Sequence, residues 1–196
     1  MNAIDKKSIA WGVALVLIAA GYRVLSGVYL TSLPNFSPVM AIAFCGALIL
    51  PGALAFVVPF VALFASDLIL NAHYGQPLVS LGMVAMYACY LVAIGLGRAL
   101  RKASLGPIFG ATVFNSVLFY VVTNAFAWFA NPSYPQTLGG LWQSLTVGLP
   151  GFPPTWTFFR NSLISDLLFT AVFVGGYLWL QSRNEARTEA LGKIHG

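Results

Sequence analysis

The chain has 196 residues, 59% of them hydrophobic and only 8% charged, with a formal net charge of +5. Soluble domains carry about 25% charged residues, so this composition excludes an ordinary water-soluble domain, and the long continuous apolar runs exclude the alternating pattern of a membrane β-barrel. The basic residues sit at the ends of the apolar runs instead of forming one patch, which argues for membrane topology and against nucleic acid as a partner. The expected class is all-α: a polytopic protein of the lipid bilayer.

Six transmembrane helices are expected. The first runs from about Ser8 to Leu30, retained as a helix because no small-residue cleavage site follows a short apolar core. The loop TSLPNFSP leads to a short second span, Val39 to Leu50, and Pro51–Gly52 turns the chain into a third, Ala53 to Asn71. The loop AHYGQP precedes a fourth span, Leu78 to Leu100, and a basic loop at Arg101 and Lys102 precedes a fifth, Pro107 to Asn131. In the long segment that follows, Leu138, Leu141, Trp142 and Leu145 keep helical spacing, which predicts a short amphipathic helix at the membrane interface. The sixth span is expected over Asn161 to Gln181. Residues 1–181 thus read as one transmembrane domain, and 182–196 as a polar tail that frays at its end.

Placing the N-terminus in the cytoplasm puts Lys6, Lys7, Arg98, Arg101, Lys102, Arg183, Arg187 and Lys193 on the cytoplasmic side, eight of the ten basic residues. Both termini are then cytoplasmic. The exceptions, Arg23 and Arg160, lie at the other side with Asp67 and Asp166, the two acids inside apolar runs. Ionisable groups in lipid cost several kcal/mol unless paired or wet, so such residues mark functional sites by default.

The same topology gathers other polar residues in the extracytoplasmic half. Asn71 lies one turn beyond Asp67, followed by His73 and Tyr74 in the loop; Asn35 and Ser37 lie in the first loop on that side. Ser116, Tyr120, Asn124 and Trp128 recur every four residues on the fifth span. Apolar walls with a few convergent polar groups describe a small-molecule site. The plainer alternative is that Asp67 and Asp166 pair with Arg23 and Arg160 only to hold helices together. Phe36, between Pro34 and Pro38, is placed to close over such a pocket. Cys45 and Cys89 read as small buried packing residues. Nothing in the chain has the form of a Walker loop, a zinc-type His/Glu helix motif or a Gly-x-Ser-x-Gly elbow.

The strings NFSPVMAIAFCGA, ASDLILNAHYG, SVLFYVVTNAFAWF and FFRNSLISDLLF, spread in order from Asn35 to Phe169, resemble a family of small bacterial membrane proteins. That family is similar to the substrate-binding S-components of energy-coupling-factor (ECF) vitamin transporters. The resemblance implies an S-component-like bundle of six helices in the bacterial inner membrane that binds a vitamin-like molecule near its outer face. It also implies a possible partner, an ECF coupling subunit with its ATPases, met by small residues on the first helix, here Ala10 and Ala14. Solitary relatives proposed to take up cobalamin ligate cobalt through a pocket cysteine, whereas Cys45 and Cys89 lie in spans and not in outer loops.

The expected function is therefore substrate binding and uptake of a small organic micronutrient, a vitamin with cobalamin as one candidate, without catalysis, cofactor or metal. The residues expected to contact it are Asp67, Asn71, Tyr74, Tyr87, Asn124, Trp128, Arg160, Asn161 and Asp166. Two alternatives stand beside it. One is an integral membrane enzyme using Asp67 or Asp166 with His73 as acid and base; the other is a ligand-free assembly factor whose polar cluster is helix glue.

Overall fold

In the computed structural model, residues 6–30 and 33–195 are described, apart from the side chains of residues 8, 184, 185 and 187–195. The described residues form seven helices and no strand: α1 (Lys6–Tyr29), α2 (Val39–Ile49), α3 (Leu54–His73), α4 (Leu81–Ala99), α5 (Leu105–Ala130), α6 (Leu138–Leu145) and α7 (Thr155–His195). Five of them, α1, α3, α4, α5 and the Thr155–Arg183 part of α7, are long and apolar enough to cross a membrane. Helices suit such sequences because lipid offers no partner to the backbone, which must bond within itself.

The expected second span, Val39 to Leu50, is shorter than a bilayer. At ~1.5 Å per residue, the 11 residues of α2 reach roughly 16 Å, about half of a hydrocarbon core. Nearly all of α2 is buried, and it packs on α1, α3, α4, α5 and α7. This short helix is the hub of the bundle. Its small residues let neighbours approach: a Cβ added at Gly97 of α4 would stand 2.2 Å from the carbonyl oxygen of Phe44, so the two backbones touch there. Phe44, Val16, Leu63, Tyr90 and Phe173 fill the remaining core around it.

The chain enters α2 through the segment Leu33–Pro38, here called the strap, and leaves it through Pro51 and Gly52, whose φ of 52° favours glycine. Asn35, at φ 58°, makes the corresponding left-handed turn in the strap. The strap, the α3–α4 loop and the whole α5–α7 connection gather at one end of the bundle, the strap end. The chain start, the α2–α3 turn, the α4–α5 loop and the end of α7 gather at the other, the basic end.

Two boundaries differ from the sequence reading. Helix α7 starts at Thr155, directly after Pro153 and Pro154, which cannot continue a preceding helix but suit a helix start. Arg160 therefore belongs to its second turn and not to a loop. At the other extreme α7 continues through the polar tail to His195 instead of fraying after Ser182. Helix α6 forms where the Leu138/Leu141/Trp142/Leu145 spacing placed it, capped by Thr137, whose Oγ1 accepts from the Gly140 amide at 3.2 Å.

Candidate functional site

Helices in lipid leave unbonded amides at their first turn and carbonyls at their last, and α2 exposes both ends inside the bundle. At the basic end Arg101 closes the carbonyls. Its guanidinium donates to the Ala47 oxygen at 3.1 and 2.9 Å and to that of Leu50, while Arg98 donates to Gly52 at 3.2 Å. At the strap end α2 begins after Pro38 and has no side-chain cap of its own. Asp166 of α7 supplies one: its carboxylate accepts from the Ala41 amide at 3.0 Å and from Ser116 Oγ at 2.8 Å. A carboxylate at a helix N-terminus and a cation at the C-terminus both complement the macrodipole.

A cavity of about 610 Å³ opens around that N-terminus. Its floor is α2 at Val39 and Met40 with Asp166; its walls carry Arg23 and Ser26 of α1, Asp67 and Asn71 of α3, Tyr90 of α4 and Phe119 of α5; the strap covers it. A second chamber of about 370 Å³ lies beside it, walled by Tyr120, Asn124, Tyr134, Phe152 and Phe159. Asn35, Ser116, Phe119, Thr123, Phe158 and Ser162 line both, so the two are lobes of one space.

The charged groups in the first lobe are largely satisfied. Arg23 Nη2 meets Asp67 Oδ1 at 2.5 Å, in the one ion pair among the described residues, and Nη1 donates to Ser66 Oγ at 2.5 Å. Tyr87 donates to Asp67 Oδ2 at 2.8 Å, so both carboxylate oxygens are engaged. With Arg23 9% and Asp67 4% exposed, the pair is stable only because these extra hydrogen bonds complete it. Asp166, 1% exposed, faces no cation. Two hydroxyls at the same lobe have no partner at all: Tyr90, which is fully buried, and Ser37 in the strap.

The strap is tied down by the two residues of α7 that precede this acid by about one turn. Asn161 Nδ2 donates to the Pro34 oxygen at 2.9 Å, and Ser162 Oγ donates to that of Asn35 at 3.1 Å. Phe36 packs edge-on against Tyr22 with ring centroids 6.4 Å apart. Tyr74 donates to the Gly27 oxygen at 2.5 Å and so joins the α3 end to α1 beside the strap.

Of the residues expected from sequence to contact a ligand, Asp67, Asn71, Tyr74 and Asp166 line the first lobe and Asn124 the second. Tyr87 stands behind Asp67 and orients it. Asn161 holds the strap and does not reach the lining. Arg160 and Trp128 also lie away from the lining. Arg160 is exposed, lies over the Trp156 ring at 5.3 Å and bonds to Asn161, outside both lobes. Trp128 donates to the Pro135 oxygen at 2.8 Å and likewise lines neither lobe. Each helical residue turns the side chain by about 100°, so Asn161, Ser162 and Asp166 face inward while Arg160 faces out. His73 lies exposed beyond the lining, and neither buried cysteine reaches it: Cys45 Sγ is 3.6 Å from Thr170 Oγ1. Among the described residues no cluster of His, Cys, Asp and Glu has the makings of a metal site.

Sequence reasoning missed Tyr90. Its signal was the spacing of three residues from Tyr87, which places both rings on one side of α4.

Fold and site together define the class: an all-helical protein with five membrane-length helices and a partly open, partly polar cavity at the N-terminus of a short central helix. The chain belongs to a family of unknown function, DUF6580, whose pattern matches residues 4–188. No curated protein and no solved structure matches it.

Proposed function

We propose that this is a membrane substrate-binding and uptake protein, similar to the S-components of ECF transporters, that captures a small organic micronutrient from the extracytoplasmic side. The observation that carries this reading is the strap-covered cavity with the unpartnered hydroxyls of Tyr90 and Ser37. A buried hydroxyl without a partner costs about 1–3 kcal/mol, and a ligand bonding to both removes that cost. The volume falls within the ~300–1,000 Å³ of small-molecule pockets. Release of the two strap hydrogen bonds to Asn161 and Ser162 frees the cover without disturbing the core, which makes the strap the entry gate.

Sidedness follows from charge. Eight of the ten basic residues belong to the basic end, so under the positive-inside rule that end is cytoplasmic, in the bacterial inner membrane, and the strap end faces outward. On α1, Ala10 is exposed and Ala14 half-buried, open to a coupling subunit with ATPases if the protein works with one. With Cys45 and Cys89 away from the cavity, nothing in the lining favours cobalamin over other vitamins. The ligand-free assembly reading draws on the engagement of Arg23 and Asp67, but gives Tyr90 and Ser37 no role.

Native mass spectrometry of the protein purified in mild detergent from rich medium tests the proposal. A small molecule of defined mass is expected on the wild type and absent from Thr123→Trp, which fills the junction of the lobes. Wild-type preparations that stay empty, together with no stabilisation by any vitamin in a panel, would overturn it.

A further inference from the structure

The lining charges say what kind of ligand the cavity accepts. Arg23, Asp67 and Asp166 are the charged side chains of the two lobes. Arg23 is neutralised by Asp67 at 2.5 Å, and no second cation answers Asp166. Its partners are the α2 amides of Ala41 and Met40 and one hydroxyl, Ser116; none carries a charge. A helix N-terminus supplies only about half of an elementary charge, and a carboxylate offers roughly four lone-pair sites, of which these partners leave at least one free. An anionic ligand would meet a buried carboxylate with no cation beside it among the described residues. A cationic one would complete the balance.

The two lobes differ in surface. The first carries the acids and the free hydroxyls of Tyr90 and Ser37. The second is lined by aromatic rings, with Tyr120 and Phe159 at 4.7 Å between centroids and Phe152 and Phe158 also in the lining. The Tyr120 hydroxyl is committed to the Leu145 carbonyl and Asn124 Nδ2 to that of Tyr120 at 2.8 Å, so this lobe offers ring faces interspersed with neutral polar groups such as Thr123 and Thr155, and no charge.

We infer that the ligand is a two-part organic cation: a basic-nitrogen head seated between Asp166, Tyr90 and Ser37, and a flat apolar portion held in the aromatic lobe. The inference rests on the binding reading above and names its substrate class.

Four probes of one scaffold test it by calorimetry and thermal stabilisation on the detergent-purified protein: 4-phenylbutylamine, 4-phenylbutanol, 4-phenylbutyrate and butylamine. The expected order is saturable binding of phenylbutylamine, about ten-fold weaker binding of phenylbutanol, and none of phenylbutyrate. Butylamine, lacking the ring, is expected to bind at least about ten-fold more weakly than phenylbutylamine. Asp166→Asn keeps an oxygen for the Ala41 amide and is expected to bring the amine and the alcohol to similar affinity. Should that variant not fold, Tyr90→Phe, which removes a hydroxyl without a partner, is expected to weaken phenylbutylamine several-fold. Phenylbutyrate binding as tightly as phenylbutylamine would overturn the cationic class while the cavity kept its binding role. Equal binding of butylamine and phenylbutylamine would overturn the aromatic subsite. Failure of all four on protein that also carries no co-purified compound would overturn this inference and the binding reading together.

Discussion

The two ends of α2 solve one problem in opposite ways. Each leaves a helix terminus without its own cap, and each satisfies it with a charged side chain from elsewhere in the chain: Asp166 on the amides, Arg101 on the carbonyls. At the basic end Arg101 bonds to the carbonyls of Ala47 and Leu50. At the strap end the same device leaves an unanswered carboxylate, two idle hydroxyls and a cavity of about 610 Å³ under a strap. Stability alone asks for the first arrangement. The second is what a binding site looks like before its ligand arrives.

Substitutions separate the two ends by the size of their effects. The largest is expected at the cavity wall: Arg23→Ala strands Asp67 in a buried site and should cost about 3–5 kcal/mol, read as a drop in thermal unfolding midpoint in mild detergent. Arg23→Met combined with Asp67→Leu should recover most of that loss, and if it instead unfolds the protein, the pair has a role beyond mutual neutralisation. Next comes Asp166→Ala, which removes the cap of α2 and should cost about 2–3 kcal/mol in the same assay, with Asp166→Asn costing clearly less. Arg101→Ala at the opposite end should cost about 1 kcal/mol, because the group is partly exposed and water replaces it, and it should leave phenylbutylamine binding unchanged. An equal loss of binding in Arg101→Ala would erase the functional distinction between the ends. The smallest effect is expected from Arg160→Ala, exposed and outside both lobes, which should alter neither the unfolding midpoint nor probe affinity.

That last expectation reverses the sequence reading and shows what a sequence encodes here. Depth along a helix is legible, because an apolar run has a countable length and ~1.5 Å per residue converts position into level. Asp67, Asn71, Tyr74, Asn124 and Asp166, read from sequence at that level, all lie along the two lobes. Rotation about the helix axis is much less legible when the whole surface is apolar, since lipid-facing and core-facing residues share one chemistry. Arg160 and Asn161 differ by one step in sequence, yet one lies over Trp156 outside and the other ties the strap. Trp128 continues the face of Tyr120 and Asn124 but lies one turn beyond the lobe, where it bonds to the Pro135 carbonyl.

The helices show a similar division. Five long runs were readable by length, and α6 by the period of its apolar residues. The 11 residues of α2 were visible as a short run, but its enclosure by five neighbours depends on packing that no local pattern states. Tyr90 escaped notice because a tyrosine in an apolar run reads as an ordinary packing residue, and only its unpartnered hydroxyl gives it away.

The most direct test of the central claim is an experimental density map of the protein purified without any added compound. The account predicts a non-protein feature in the first lobe, within hydrogen-bonding distance of Tyr90 and Asp166 and extending towards Phe158 under a closed strap. A cavity collapsed on its own side chains, with the Tyr90 hydroxyl bonded to a neighbouring residue, would contradict it.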